Sequence, residues 1–178
     1  MIKNSSLKYV FPIGLLIAFF LDGSVSYNLM SVLFKSYSVV PYLSLFWLVM
    51  AVFFVNDYNL HLEGWATLLG AVFDWYYVGI WGVFIIIFPL VVYCTRAMYR
   101  YFSINFISAF VIYLIDLIIV LFLGDLADQV VSRITGVAAY AGMNFVLYSA
   151  VPTLILNAIL FAILYYPIQR LYNYCQQG

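Results

Sequence analysis

The chain has 178 residues, of which 67% are hydrophobic and only 8% charged, with no formal net charge; globular domains carry roughly a quarter charged residues. That composition excludes a soluble enzyme-sized domain and gives no electrostatic reason to bind nucleic acid. It predicts an all-α integral membrane protein with room for about six transmembrane helices of ~20 residues and short loops between them.

Lys3 and Lys8 precede the apolar stretch Tyr9 to Leu21, and Ser24-Val25-Ser26 follows it, so the start has the outline of a signal peptide. We read it as an uncleaved first span from about Lys8 to Leu21, broken by Asp22-Gly23-Ser24. Tyr27 to Tyr37 mixes apolar residues with Asn28, Ser31 and Lys35, a pattern expected of a short helix lying at the interface. Pro41 opens span two, which runs to about Val55 and a polar turn from Asn56 to Asn59. Span three covers about Leu60 to Tyr77, and the Gly79/Gly82 pair allows a tight return into span four, about Ile80 to Tyr99. Pro89 should kink span four by deleting a backbone donor. Span five is about Ile104 to Leu123. Gly124 to Met143 reads as a polar, small-residue loop with Asp125, Asp128 and Arg133, with room for another interfacial helix. Span six, about Phe145 to Tyr166, is expected to kink at Pro152 and carries Ser149, Thr153 and Asn157 on one stripe. With no repeat or long linker, residues 1–178 form a single polytopic domain.

Lysine and arginine placement orients the bundle. With both termini in the cytoplasm, Lys3, Lys8, Arg96, Arg100 and Arg170 lie inside, and Lys35 and Arg133 outside. Tyrosine and tryptophan near span ends, such as Tyr9, Trp75, Trp81, Tyr101, Tyr165 and Tyr166, fit aromatic anchoring at the interfaces. Cys94 and Cys175 then face the cytoplasmic side, where free thiols are expected.

The stretch from Gly64 to Gly82 is the most informative. At helical spacing Glu63, Thr67, Gly70 and Asp74 share one stripe, and Gly70 lets a neighbouring helix come close one turn before the acid. On the next span Gly82, Pro89, Tyr93, Arg96 and Arg100 share a face. Asp22, Asp74 and Asp116 are all expected in the outer half of the bilayer, where no cation of this chain lies. One reading gathers them into an outward polar pocket that receives a partner's basic or hydroxyl groups. A second makes them a proton- or ion-coupled path, and a third has Asp22 cap the interfacial helix and Asp74 sit near headgroups, leaving only Asp116 buried. His61 with Asp57 and Glu63 is too sparse for zinc, which wants three or four close ligands. No nucleophile elbow, phosphate loop or paired Cys/His spacing occurs, so neither catalysis nor a cofactor is expected.

Gly70-x-x-x-Asp74 followed by Tyr76-Tyr77-x-Gly79-Ile80-x-Gly82, then an apolar span ending in Arg96, resembles the rod shape-determining protein MreD family. Phe20-Leu21-Asp22-Gly23 and the layout of six spans in under 200 residues are similar to its Gram-positive members. The resemblance implies a non-enzymatic protein of the bacterial cytoplasmic membrane, a scaffold of the cell-elongation machinery (the elongasome). Its implied partner is the single-span protein MreC, with indirect links to the elongation transpeptidase and glycosyltransferase of lateral peptidoglycan synthesis and to the actin-like MreB. It also implies an S-component-like bundle, because MreD proteins are similar in fold to the substrate-binding S components of energy-coupling-factor transporters. That likeness supplies the rival expectation, a solute-binding transport component with a pocket lined by Asp22, Asp74, Asp116, Ser149, Thr153 and Asn157. The motif residues carried over are Gly70, Asp74, Gly79 and Gly82.

Overall fold

The computed structural model describes residues 5–33, 38–55, 60–103, 105–136 and 142–177. Lys3, Lys35, Ile104 and the turn from Asn56 to Asn59, with Asp57, lie outside the described residues.

Among the described residues six helices form the bundle. They are α1 (Ser5–Leu33), α2 (Leu43–Phe54), α3 (Leu62–Phe73), α4 (Phe84–Tyr99), α5 (Phe106–Thr135) and a composite α6. The last begins at Met143–Phe145, widens into a π-helical turn over Val146–Ala150 and continues as Val151–Gln177. Among the described residues, Leu7–Asn28, Phe106–Thr135 and Met143–Cys175 are long and apolar enough to cross a membrane. The other three helices are shorter, and α2, with 12 residues, rises only ~18 Å against a hydrocarbon core of ~30 Å.

That short helix is the hub. Leu43 to Phe53 are all buried, and α2 packs on every one of the other five helices. A helix apolar on all sides suits a protein core or a bilayer equally, and it is the burial of Leu43 to Phe53 that places α2 inside protein. Aromatic side chains fill the space around it: Phe46 meets Phe161 and Tyr113 at 5.4 and 5.6 Å, and Trp47 lies 5.1 Å from Tyr172. Tyr165 belongs to this core as well, 5.3 Å from Phe161. It is buried rather than an interfacial anchor, unlike exposed Tyr9, Trp75, Trp81, Tyr101 and Tyr166.

Three expectations are corrected. α1 does not break at Asp22-Gly23-Ser24, and no separate interfacial helix starts at Tyr27, because one helix runs from Ser5 to Leu33. Asp22 favours breaks when its side chain competes for its own backbone, but here it bonds α2 instead. α5 likewise runs through Gly124 to Thr135, where a loop was expected. Gln129 donates to Asp125 one turn back at 2.7 Å, and Gly136, at φ 74°, ends the helix. α6 continues past Tyr166 to Gln177. At Pro152 the chain has just left the π-helical turn, a wider turn that marks where proline interrupts the regular ladder. The start of α5 carries a capping box not read from the sequence, in which Ser108 N donates to Asn105 Oδ1 at 2.9 Å and Asn105 N to Ser108 Oγ at 3.1 Å. Cys94 and Cys175 form no disulfide.

Candidate functional site: the Gly70–Gly82 hairpin and the buried polar groups

The helical hairpin α3–α4 is built by the motif residues themselves. At Gly70 a Cβ would stand 2.2 Å from the Phe84 carbonyl oxygen and 2.4 Å from its carbon. The two backbones therefore touch, and only glycine permits it. One turn on, α3 widens into a π-helical turn over Asp74–Val78. Gly79 closes it at φ 74° with its N–H donating to Asp74 O at 2.7 Å, and Gly82 turns the chain at φ 110°. Both angles lie in the region that L side chains avoid.

Asp74 is fully buried and faces protein. Its Oδ1 accepts from Phe84 N at 2.8 Å, and its Oδ2 from Gly82 N at 2.8 Å and Ile85 N at 3.3 Å. These are the orphan donors at the start of α4, and a carboxylate there also meets the positive end of the helix dipole. Asp74 thus caps the helix that its own turn leads into. At the opposite end of the hairpin Glu63 pairs with Arg96, both partly exposed. Of the predicted stripe, Glu63, Gly70 and Asp74 face α4, while Thr67 is exposed and bonds Glu63 O at 2.8 Å.

Asp22 does the same service for α2 from a distance. Its Oδ1 accepts from Leu43 N at 2.6 Å, and its Oδ2 from Ser44 N at 3.0 Å and Ser44 Oγ at 2.5 Å. It caps a helix twenty residues downstream, not an interfacial one. The extended chain ahead of α2 is tied to α6. Ser38 N donates to Tyr148 O at 2.8 Å, Val40 N to Thr153 Oγ1 at 3.3 Å and Tyr42 N to Asn157 Oδ1 at 2.9 Å. Asn157 Nδ2 returns a bond to Val40 O at 2.8 Å, and Tyr113 OH donates to Asn157 Oδ1 at 3.2 Å. Irregular backbone survives at membrane depth only where protein satisfies its polar groups. Of the stripe on span six, Thr153 and Asn157 do that task.

The three acids do not meet. Asp74 is level with Phe84 on α4, whereas Asp116 Oδ2 lies 2.7 Å from Thr95 Oγ1. Eleven residues of α4 separate those levels, ~16 Å of rise. Asp116 is therefore nearer the far end of α4 than to Asp74, which corrects the expectation of one shared depth. A cavity of about 620 Å³ opens beside Asp22, walled by Ser26, Tyr27, Tyr42, Tyr77 and Phe84. Asp74, Asp116, Ser149, Thr153 and Asn157 are not in its wall. Among the described residues no three His, Cys, Asp or Glu side chains gather as metal ligands.

The capping roles of Asp22, Thr153 and Asn157 join residues 21 to 117 positions apart, so no local pattern announces them. The signal present was depth: each is a polar residue inside an apolar run, which obliges it to find a buried partner.

Around the hairpin, the model of the rod shape-determining protein MreD family matches residues 8–175. No curated protein and no solved structure matches the chain. The family match spans all six helices, including the Gly70–Gly82 hairpin, and the chain belongs to the rod shape-determining protein MreD family.

Proposed function

We propose that this protein is a non-enzymatic scaffold of the cell-elongation machinery in the bacterial cytoplasmic membrane, with both termini in the cytoplasm. In this reading it binds the single span of MreC and the part next to it, and through MreC it helps regulate lateral peptidoglycan synthesis and cell shape. Family membership over residues 8–175 supports a role in shape determination. The observation that carries the reading further is that four of the six polar side chains named for a solute pocket are committed inward. Asp22, Asp74, Thr153 and Asn157 each bond backbone groups of the protein itself. A transport component would instead keep convergent polar groups free for its ligand, so the scaffold reading is favoured.

Asp74, Gly70, Gly79 and Gly82 then act by shaping the hairpin, not by touching the partner. What the hairpin offers outward is aromatic: Trp75, Tyr76 and Trp81 are 69%, 68% and 65% exposed around its turn. Large rigid aromatics are the usual anchors of an interface. Arg96, held by Glu63, and the exposed Tyr93 line the descending face. Single interhelical hydrogen bonds yield only ~1 kcal/mol in a membrane, so affinity must come from extended packing.

The test is co-purification of MreC with the tagged protein from native membranes. Replacing Trp75, Tyr76 and Trp81 together by alanine should lower MreC recovery at least fivefold while leaving the protein folded in detergent. Asp74→Ala should lower recovery only as far as it lowers stability. Undiminished recovery with the triple variant removes the turn from the interface, and failure of the wild-type protein to recover MreC at all overturns the scaffold assignment.

A further inference from the structure

The contacts of Asp116 set it apart from the other two buried acids. Asp22 and Asp74 are each met by backbone N–H groups at a helix start, donors that suit a carboxylate. Asp116, 0% exposed, receives no N–H among the described residues. Its Oδ2 lies 2.7 Å from Thr95 Oγ1, and its Oδ1 has no hydrogen-bond partner among the described residues. Among those residues the Glu63–Arg96 pair is the one salt bridge, so no cation balances Asp116. Cys94, next to Thr95 on α4, and Tyr113, one turn back on α5, supply no positive charge either.

The decisive point is a proton count. Thr95 Oγ1 is also 2.8 Å from the Val91 carbonyl oxygen, one turn back on α4. A threonine hydroxyl has one proton and two lone pairs. The carbonyl can only accept. If Asp116 were a carboxylate it too could only accept, and a single proton would have to serve two acceptors. Both contacts are hydrogen bonds if the second proton belongs to the acid.

We propose that Asp116 is carried as the uncharged carboxylic acid, its Oδ2–H donating to Thr95 Oγ1 and the Thr95 hydroxyl donating on to Val91 O. The relay clasps α5 to α4 in the half of α4 beyond Pro89. It also explains the lone Oδ1. As the carbonyl oxygen of a neutral acid it goes unpaired at modest cost, whereas an unpaired carboxylate oxygen at this depth is far more costly. The joint between α4 and α5 therefore holds one titratable proton, that of Asp116. Removing it sets two acceptors against one hydroxyl proton, so the clasp must loosen or admit water.

The test is infrared difference spectroscopy of the whole protein in lipid, with carboxyl-labelled aspartate. The wild type at neutral pH should show one isotope-sensitive carbonyl band of a protonated carboxyl, well above the carboxylate region. Asp116→Asn should abolish that band completely, while Asp22→Asn and Asp74→Asn leave it in place. Thr95→Val removes the acceptor of the acid proton and should shift the band upward without deleting it, so the question stays answerable if the asparagine variant does not fold. No protonated-carboxyl band in the wild type, or a band unmoved by Thr95→Val and by Asp116→Asn, overturns the proposal.

Discussion

Replacing Asp74 by alanine isolates what the acid does for the hairpin. The substitution strands three N–H groups at the start of α4: those of Gly82 and Phe84, each 2.8 Å from a carboxylate oxygen, and that of Ile85 at 3.3 Å. The Phe84 group is the buried one and should cost about 2 kcal/mol when left without an acceptor. The other two are partly buried and reach water more readily, adding about 0.5 kcal/mol each on the scale of a lost helix cap. The sum is ~3 kcal/mol, with the favourable charge–dipole contact already inside it. Asparagine keeps one acceptor oxygen but turns its amide donors toward other donors, so Asp74→Asn should lose roughly half as much, ~1.5 kcal/mol. For a domain of this size each kcal/mol moves the midpoint by ~2–4 °C. Thermal unfolding of the detergent-solubilised protein should therefore place Asp74→Ala ~6–12 °C below wild type and Asp74→Asn between the two. Midpoints within a degree of wild type for both would refute the capping argument. Loss of MreC binding by Asp74→Ala at unchanged stability would instead make the acid a direct contact.

Further outcomes follow from the same geometry. Gly70→Ala puts a methyl 2.2 Å from the Phe84 carbonyl oxygen, so α3 and α4 must separate; a loss of about 1–3 kcal/mol is expected in the same unfolding assay. Asn157→Leu strips the tie to Val40 and Tyr42 and leaves buried backbone groups unpaired. It should destabilise by ~2 kcal/mol or more and raise hydrogen exchange over residues 38–44 ahead of the rest of the bundle. A double-mutant cycle on Glu63 and Arg96, both partly exposed, should return a coupling below ~1 kcal/mol that fades with added salt.

How far the sequence could be read follows from the range of each interaction. The α3–α4 hairpin was legible because what makes it lies within sixteen residues, with Gly70 for close approach and Gly79 and Gly82 for the turn, although the cap that Asp74 places on α4 was not read. Helix count was legible too, since apolar length is a local property. Where the sequence misled, a residue's usual local habit was overridden from elsewhere in the chain. Asp22-Gly23-Ser24 has the chemistry of a break, yet Asp22 is drawn away by the start of α2, and the Tyr77 hydroxyl, bonded to Phe19 O at 3.0 Å, comes to rest 2.5 Å from where a Gly23 Cβ would stand. The acids invited a common pocket because each was placed by counting residues along its own helix from the membrane edge. That count assumes helices that start level, whereas Asp116 pairs with Thr95, eleven residues along α4 from the Phe84 level of Asp74. Once a helix begins and ends within the bundle, its exposed backbone ends become the strongest polar demands at that depth. Asp22, Thr153 and Asn157 answer the demands of α2, and Asp74 those of α4. Asp116 is left with a hydroxyl in place of an amide, which is why its proton, rather than its position, is the feature that distinguishes it.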